Sequence, residues 1–191
     1  MTESTVHLPD QIFPADALHL SSEGATWRVA QTKSRREKKL AQFLAAHHLA
    51  YFLPLLKRRQ PGQRRTRFSF VPAFGNYVFI RVTDHERHLA LRSNLIARMI
   101  EVQDQARLVL ELTHLQTALG MEEKVYPYDY VDQGQWVQVI QGPLQGLIGV
   151  VERKKPGFRL VVNITGIFQA VAVDIDADLV EPLDAGSSKH R

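Results

Sequence analysis

Beyond residue 134 the chain is divided into four short β-branched segments, WVQVI, LIGVVER, FRLVVNI and FQAVAVDI, separated by Gly142-Pro143, Pro156-Gly157 and Gly166. Segments this short, rich in Val and Ile and bounded by turn residues, read as strands rather than helices. About 55 residues of this texture are enough for a small β-barrel. Nothing ahead of residue 130 looks the same, and 191 residues suffice for two small cores. The sequence therefore predicts a disordered tail over 1–25, a first domain over 26–120, a linker over 121–130, a barrel over 131–184 and a short tail over 185–191.

The first domain alternates strands and helices. TWRVAQTK reads as a strand, and Ser34 with Glu37 forms a Ser-x-x-Glu capping box that opens a helix. Leu40, Phe43, Leu44, His47 and Tyr51 then recur at helical spacing and mark one buried face. A short apolar strand over Phe52–Leu56 leads into the basic run KRRQPGQRRTR. Its central Pro61-Gly62 marks the turn of a projecting hairpin, because so many like charges cannot share a packed face. FSFVPAFGNYVFIRV continues as strand, DHERHLALRSN as a second helix and LIARMIEV as a strand. Thr113 and Gln116 suggest a capping box for a last short helix ending at Gly120. MEEKVYPYDYVDQG has no amphipathic period and carries Pro127, so it is assigned to the linker. The order is that of an α+β sandwich with helices against a largely antiparallel sheet.

Charge divides the chain more sharply than its net value of +4 suggests. Residues 27–99 carry 16 Lys or Arg against three acids, whereas residues 100–191 carry eight against 13. The two halves should meet different partners, the first an acidic surface or a polyanion. With no cysteine, thiolate metal sites and disulfides are excluded. No apolar run is long enough to span a membrane and no secretory signal opens the chain, so a cytoplasmic protein is expected. His85 and His88, and the adjacent His47 and His48, lack a third ligand, and no metal is expected. Gly142 and Gly146 are not followed by the Lys-Ser/Thr of a nucleotide loop, and no Ser-His-Asp or paired-carboxylate constellation is argued for by spacing; no cofactor and no enzymatic activity are predicted.

The segment QGQWVQVIQGPLQGLIGVVERKKPGFRLVVNITGIFQAVAVDIDADLVEPL resembles a KOW module: a hydrophobic strand, then Gly142-Pro143-Leu144 with Gly146 and Gly149, then a second strand. Gly142 and Gly146 are expected to turn the backbone where a Cβ would clash, and Gly149 to let strands approach closely. KOW modules also occur in ribosomal proteins. The N-terminal half narrows the choice, since WRVAQTK, the helix after it and PAFGNYVFIRV resemble the opening strand, first helix and proline-aromatic strand of the NusG N-terminal domain. The resemblance covers about residues 26 to 183. It implies an NGN-type α/β sandwich followed by a small SH3-like KOW β-barrel.

The resemblance also implies a role: a transcription elongation factor or antiterminator, a monomer that closes the RNA polymerase clamp and suppresses pausing. Its polymerase contact falls on Phe52, Pro54, Pro72, Phe74, Tyr77 and Phe79 for the β′ clamp helices. His88 and Leu89 are its contact with the β gate region. DNA or RNA of the elongation complex is expected at Lys33, Arg35, Arg36, Arg64, Arg65 and Arg67. Cations at a helix start are disfavoured by the macrodipole unless a phosphate compensates, and a solvated basic face is the alternative. Phe68 and Phe70 fit core packing first and base stacking second.

Two departures from the family pattern bear on partners. Trp27-Arg28 stands where the family often has Trp-Tyr. In the barrel, Gly166-Ile167-Phe168-Gln169 keeps an apolar tip but lacks the basic residue of the family's loop, which counts against Rho. Ile167 and Phe168 are assigned to a small-subunit ribosomal protein instead, and the chain reads as a specialised, RfaH-like paralogue. The rival reading is a KOW-type RNA-binding or ribosome-associated protein with no polymerase role.

Overall fold

A computed structural model of the chain describes residues 9–20, 24–60, 67–120, 125–129, 134–153 and 158–183. It resolves into two compact units, one formed by residues 1–55 and 74–105 and the other by residues 56–73 and 106–191. This division does not coincide with the expected boundary near residue 130.

The first unit is built on a five-stranded sheet. Its strands are β1 (Ile12–Phe13), β2 (Thr26–Thr32), β3 (Ala50–Phe52), β6 (Tyr77–Val82) and β7 (Ile96–Glu101), in the order β1-β3-β6-β2-β7. All four pairings are antiparallel. Helix α1 (Glu37–Ala46) buries Glu37, Leu40, Ala41 and Leu44; of the expected stripe Leu40 and Leu44 are buried, Phe43 is half-buried, His47 is exposed at the C-cap and Tyr51 lies beyond the helix in β3. The expected capping box does not form: Arg36 is the N-cap, without a side-chain bond. Glu37 instead turns inward and accepts a bond from the Asn76 backbone N–H at 2.7 Å, satisfying the turn that opens β6. Helix α2 (Asp84–Arg92) has a complete box between Thr83 and Glu86 that the sequence reading missed.

The expected disordered tail is partly structured. Ile12–Phe13 adds a strand to β3, with Ile12 opposite Phe52 and Phe13 opposite Tyr51. The Leu53 N–H donates to the Gln11 carbonyl at 2.7 Å and the Tyr51 hydroxyl to the Asp10 carbonyl at 3.0 Å. Burial, and then the charge of Asp10, push the Tyr51 phenol up to about 12, so it stays a donor at any physiological pH.

In the second unit β4 (Leu55–Gln60) and β5 (Arg67–Pro72) pair as the expected hairpin, whose turn lies outside the described residues. Helix α3 (Gln105–Leu119) is twice the expected length; Thr113, expected to cap it, sits inside and donates to the Val109 carbonyl. The C-terminal sheet has six strands in the order β13-β9-β10-β11-β12-β8: β8 (Val125–Asp129), β9 (Gln135–Val139), β10 (Ile148–Arg153), β11 (Phe158–Ile164), β12 (Gln169–Ile175) and β13 (Val180–Pro182). Two expectations change here. The segment assigned to the linker contributes β8, paired to β12 from Val125–Val173 to Asp129–Gln169. The barrel is not closed, since among the described residues no ladder joins β8 to β13. Each edge strand contains a proline, Pro127 or Pro182, which has no N–H to give a further partner.

Candidate polymerase and partner interfaces

The residues assigned to the clamp separate into a buried set and an accessible one. Phe79 on β6 lies opposite Phe52 on β3 and Val29 on β2, all on one face of the sheet. The Phe79 ring packs against Phe52 at 6.4 Å and edge-on against Phe74 at 6.3 Å. Phe52, Pro54, Phe74 and Phe79 are all buried. In this conformation these side chains are core rather than accessible contact residues: Phe52 and Phe79 face each other across β3 and β6, and Phe74 reaches Phe79 from the turn before β6. Tyr77 shares the face two residues earlier, opposite Gln31, which in turn lies opposite Arg98. This row opens to solvent, with Tyr77 and Gln31 half-exposed and Arg98 exposed. Pro72 is also half-exposed. On α2, His88 is exposed and Leu89 half-buried.

The basic residues before α1 occupy a tight turn. Arg35 has a left-handed φ of 57°, the Arg36 N–H donates to the Lys33 carbonyl at 3.1 Å, and Lys33 Nζ donates to Asn94 Oδ1 at 2.7 Å. Lys33, Arg35 and Arg36 are exposed side by side. Arg64 and Arg65 lie outside the described residues, as does the Arg67 side chain.

Arg28, noted only as a departure from pattern, is the centre of a network. It is buried, and its guanidinium reaches Glu101 Oε2 at 2.7 Å, the Val82 carbonyl at 2.8 Å and Asp84 Oδ1 at 2.8 Å. One side chain thus ties β2 to the end of β6, the first residue of α2 and the end of β7. The Gln105 amide similarly grips the Trp27 backbone, accepting from its N–H at 2.8 Å and donating to its carbonyl at 2.9 Å.

In the C-terminal sheet the glycines act in two ways. Gly142 and Gly146 have φ of +84° and +88°, with open space where a Cβ would point, so conformation and not crowding requires them. Pro143 between them is exposed. At Gly149 crowding decides, for a Cβ there would lie 2.5 Å from the Val161 carbonyl oxygen. The loop after β11 separates its two apolar residues. Ile167 is buried in a 3-10 turn, while Phe168 is 73% exposed in the left-handed region, φ 51°. Ile167, assigned with Phe168 to a partner contact, is therefore a packing residue, and of the two only Phe168 presents its side chain to solvent. The turn is fixed by Glu111 of α3, whose carboxylate accepts from the Thr165 N–H at 3.0 Å and hydroxyl at 2.6 Å.

One further cluster has no counterpart in the sequence reading. Tyr126 and Tyr128 of β8 cover Val161, Ala170 and Ala172. Arg159 lies over both rings at 5.1 and 4.8 Å. The Tyr126 hydroxyl bonds Asp174, and the Tyr128 hydroxyl bonds Glu152, each at 2.6 Å. The two tyrosines, two residues apart on either side of Pro127, were the available sign of a strand.

Among the described residues no three His, Cys, Asp or Glu side chains gather to hold an ion, and no helix is long and apolar enough to cross a membrane. The described residues thus form a mixed α/β chain of three α-helices and antiparallel sheets, with Lys33, Arg35 and Arg36 exposed before α1 and the Phe168 ring exposed on the C-terminal sheet. The sequence profile of the family described as transcription termination factor nusG matches residues 25–127, and the chain belongs to the NusG family of transcription factors, whose members bind RNA polymerase. No curated protein matches the chain significantly.

Proposed function

We propose that this protein is an elongation factor of the antiterminating kind, a specialised NusG paralogue. Its first unit binds the β′ clamp helices through the open row that includes Tyr77, with Pro72 nearby in sequence, and the start of α2 meets the β gate region through His88 and Leu89. Lys33, Arg35 and Arg36 contact DNA or RNA of the elongation complex. Its C-terminal sheet, a KOW-type module, docks a second partner, a small-subunit ribosomal protein, through Phe168. The observation that carries this reading is the family match over residues 25–127, which spans the strands that hold Tyr77. The rival, a KOW-type RNA-binding or ribosome-associated protein with no polymerase role, draws on the basic hairpin and the KOW-like glycine pattern.

Tyr77→Ala is expected to weaken capture by isolated β′ clamp helices about tenfold or more, as truncating an aromatic anchor does. Half-exposed Tyr77 can be changed without opening the core, unlike Phe79. Unaltered capture by the folded variant would remove Tyr77 from the interface, and salt-sensitive binding to bare RNA with no clamp capture would favour the rival.

Phe168 offers a second test. A non-glycine residue in the left-handed region costs roughly 1–2 kcal/mol, and Asn tolerates it better. Phe168→Asn should therefore leave the melting temperature unchanged or slightly higher while abolishing the shifts seen when the ribosomal protein is titrated against labelled full-length chain. Shifts that persist around residues 165–169 would rule the ring out as the anchor.

A further inference from the structure

The hairpin strands β4 and β5 carry an exposed ring in the most basic part of the chain. Between Lys38 and Thr83 the sequence has no Asp or Glu, and residues 57–67 hold six Lys or Arg. Phe68, expected in the core, is 55% exposed. Lys57 from the opposite strand stands over its face, Nζ 4.9 Å from the ring centroid, and Arg58 beside it is exposed. Phe70, two residues on and on the same side of β5 by alternation, is half-buried. The strand thus keeps one aromatic partly covered and presents the next one outward.

An exposed phenylalanine on a cationic arm suits a particular ligand. The repulsion among the arm's charges is relieved by a polyanion, and a flat apolar ring with an ammonium beside it matches the two parts of a nucleotide, base and phosphate. A base inside a duplex has both faces covered by its neighbours, so only an unpaired base can stack on the ring. From this we infer that Phe68, with Lys57 and Arg58, is a stacking site for single-stranded nucleic acid. The site reads no sequence, because a ring and point charges stack and neutralise without discriminating base edges. The inference rests on the nucleic-acid part of the proposed function and adds to it the strandedness of the ligand and the residue that selects it.

The test is fluorescence anisotropy of the full-length chain against three labelled ligands: an oligothymidylate of about 15 nucleotides, an abasic strand of the same length and a duplex. Phe68→Ala should weaken oligothymidylate binding about tenfold and leave the abasic strand unaffected. The salt dependence should keep its slope, since no charge is lost. Phe68→Trp should restore affinity, with its added tryptophan emission quenched on binding. Arg58→Glu should weaken oligothymidylate and abasic strand alike and flatten the slope.

The stacking site is overturned if Phe68→Ala binds oligothymidylate like the unmodified protein, or loses equally on the abasic strand or the duplex. It is equally overturned if Phe68→Ala lowers only capture of polymerase, which would make the ring a protein contact. Where Arg58→Glu weakens binding and Phe68→Ala does not, the stack falls and the nucleic-acid reading stands. Where the unmodified protein binds none of the three ligands in a salt-dependent way, both fall.

Discussion

Gly149→Ala is expected to destabilise the C-terminal sheet by about 3 kcal/mol, the upper end of ordinary overpacking. The added Cβ would lie 2.5 Å from the Val161 carbonyl oxygen and 2.9 Å from Leu160 Cδ1. Leu160 is a flexible side chain, but it is fully buried and has little room to turn. The carbonyl is backbone, and moving it disturbs the ladder in which Val150 faces Val161. On its other side Gly149 faces Val137, so the strand cannot shift away without losing β9 as well. Gly75→Ala is the control, because its Cβ meets nothing within 4 Å and its φ is ordinary. Gly142→Ala should fall between them, costing roughly 1–2 kcal/mol through its positive φ alone. Amide hydrogen exchange distinguishes these cases: Gly149→Ala should strip protection from β10 and β11 while β2 and β6 keep theirs. Uniform protection in the variant would mean that the strands have slack, and that the close approach does not constrain the sheet.

The same glycines show what a sequence can reveal. A β-branched run interrupted by Gly and Pro leaves few alternatives to short strands, so the C-terminal sheet was legible. So were α1, from the spacing of Leu40 and Leu44, and the hairpin, from Pro61-Gly62 amid charge. What escaped depends on partners distant in sequence. Ile12–Phe13 is too short to be a strand without the edge of β3. Strand β8 was hidden by Pro127, which the edge of a sheet tolerates. Glu37 has the spacing of a capping residue, but the Asn76 N–H, 39 residues away, claims its carboxylate. Among the aromatic residues, alternation grouped Tyr77 with Phe79 but could not tell which end of the row is covered. Ile167 and Phe168 were likewise separable only once a 3-10 turn directed one inward and a left-handed residue directed the other out.

Arg28→Met should lower the stability of the first unit by about 2–3 kcal/mol, with the buried stem replaced and only the guanidinium lost. The size follows from sorting its three partners. Asp84 and Glu101 have side chains 88% and 51% exposed, so each ion pair contributes at most about 1 kcal/mol and water takes over when the cation goes. The Val82 carbonyl is different: it accepts at 2.8 Å from a charged donor in a buried setting, and losing such a bond costs roughly 1.5–3 kcal/mol. Arg28→Lys should recover less than half, since one ammonium cannot reproduce a planar fork that serves two strands and a helix start at once. Salt separates the contributions. At 1 M ionic strength the screening length is about 3 Å, which suppresses the exposed pairs and leaves the carbonyl bond largely intact. The stability gap between Arg28→Met and the unmodified chain should therefore persist in urea titrations at high salt. A gap that closes there would move the effect to the exposed ion pairs with Asp84 and Glu101. A gap that stays open places the main contribution in the bond to the Val82 carbonyl, which pins the end of β6 two residues before α2 and its His88 and Leu89 begin.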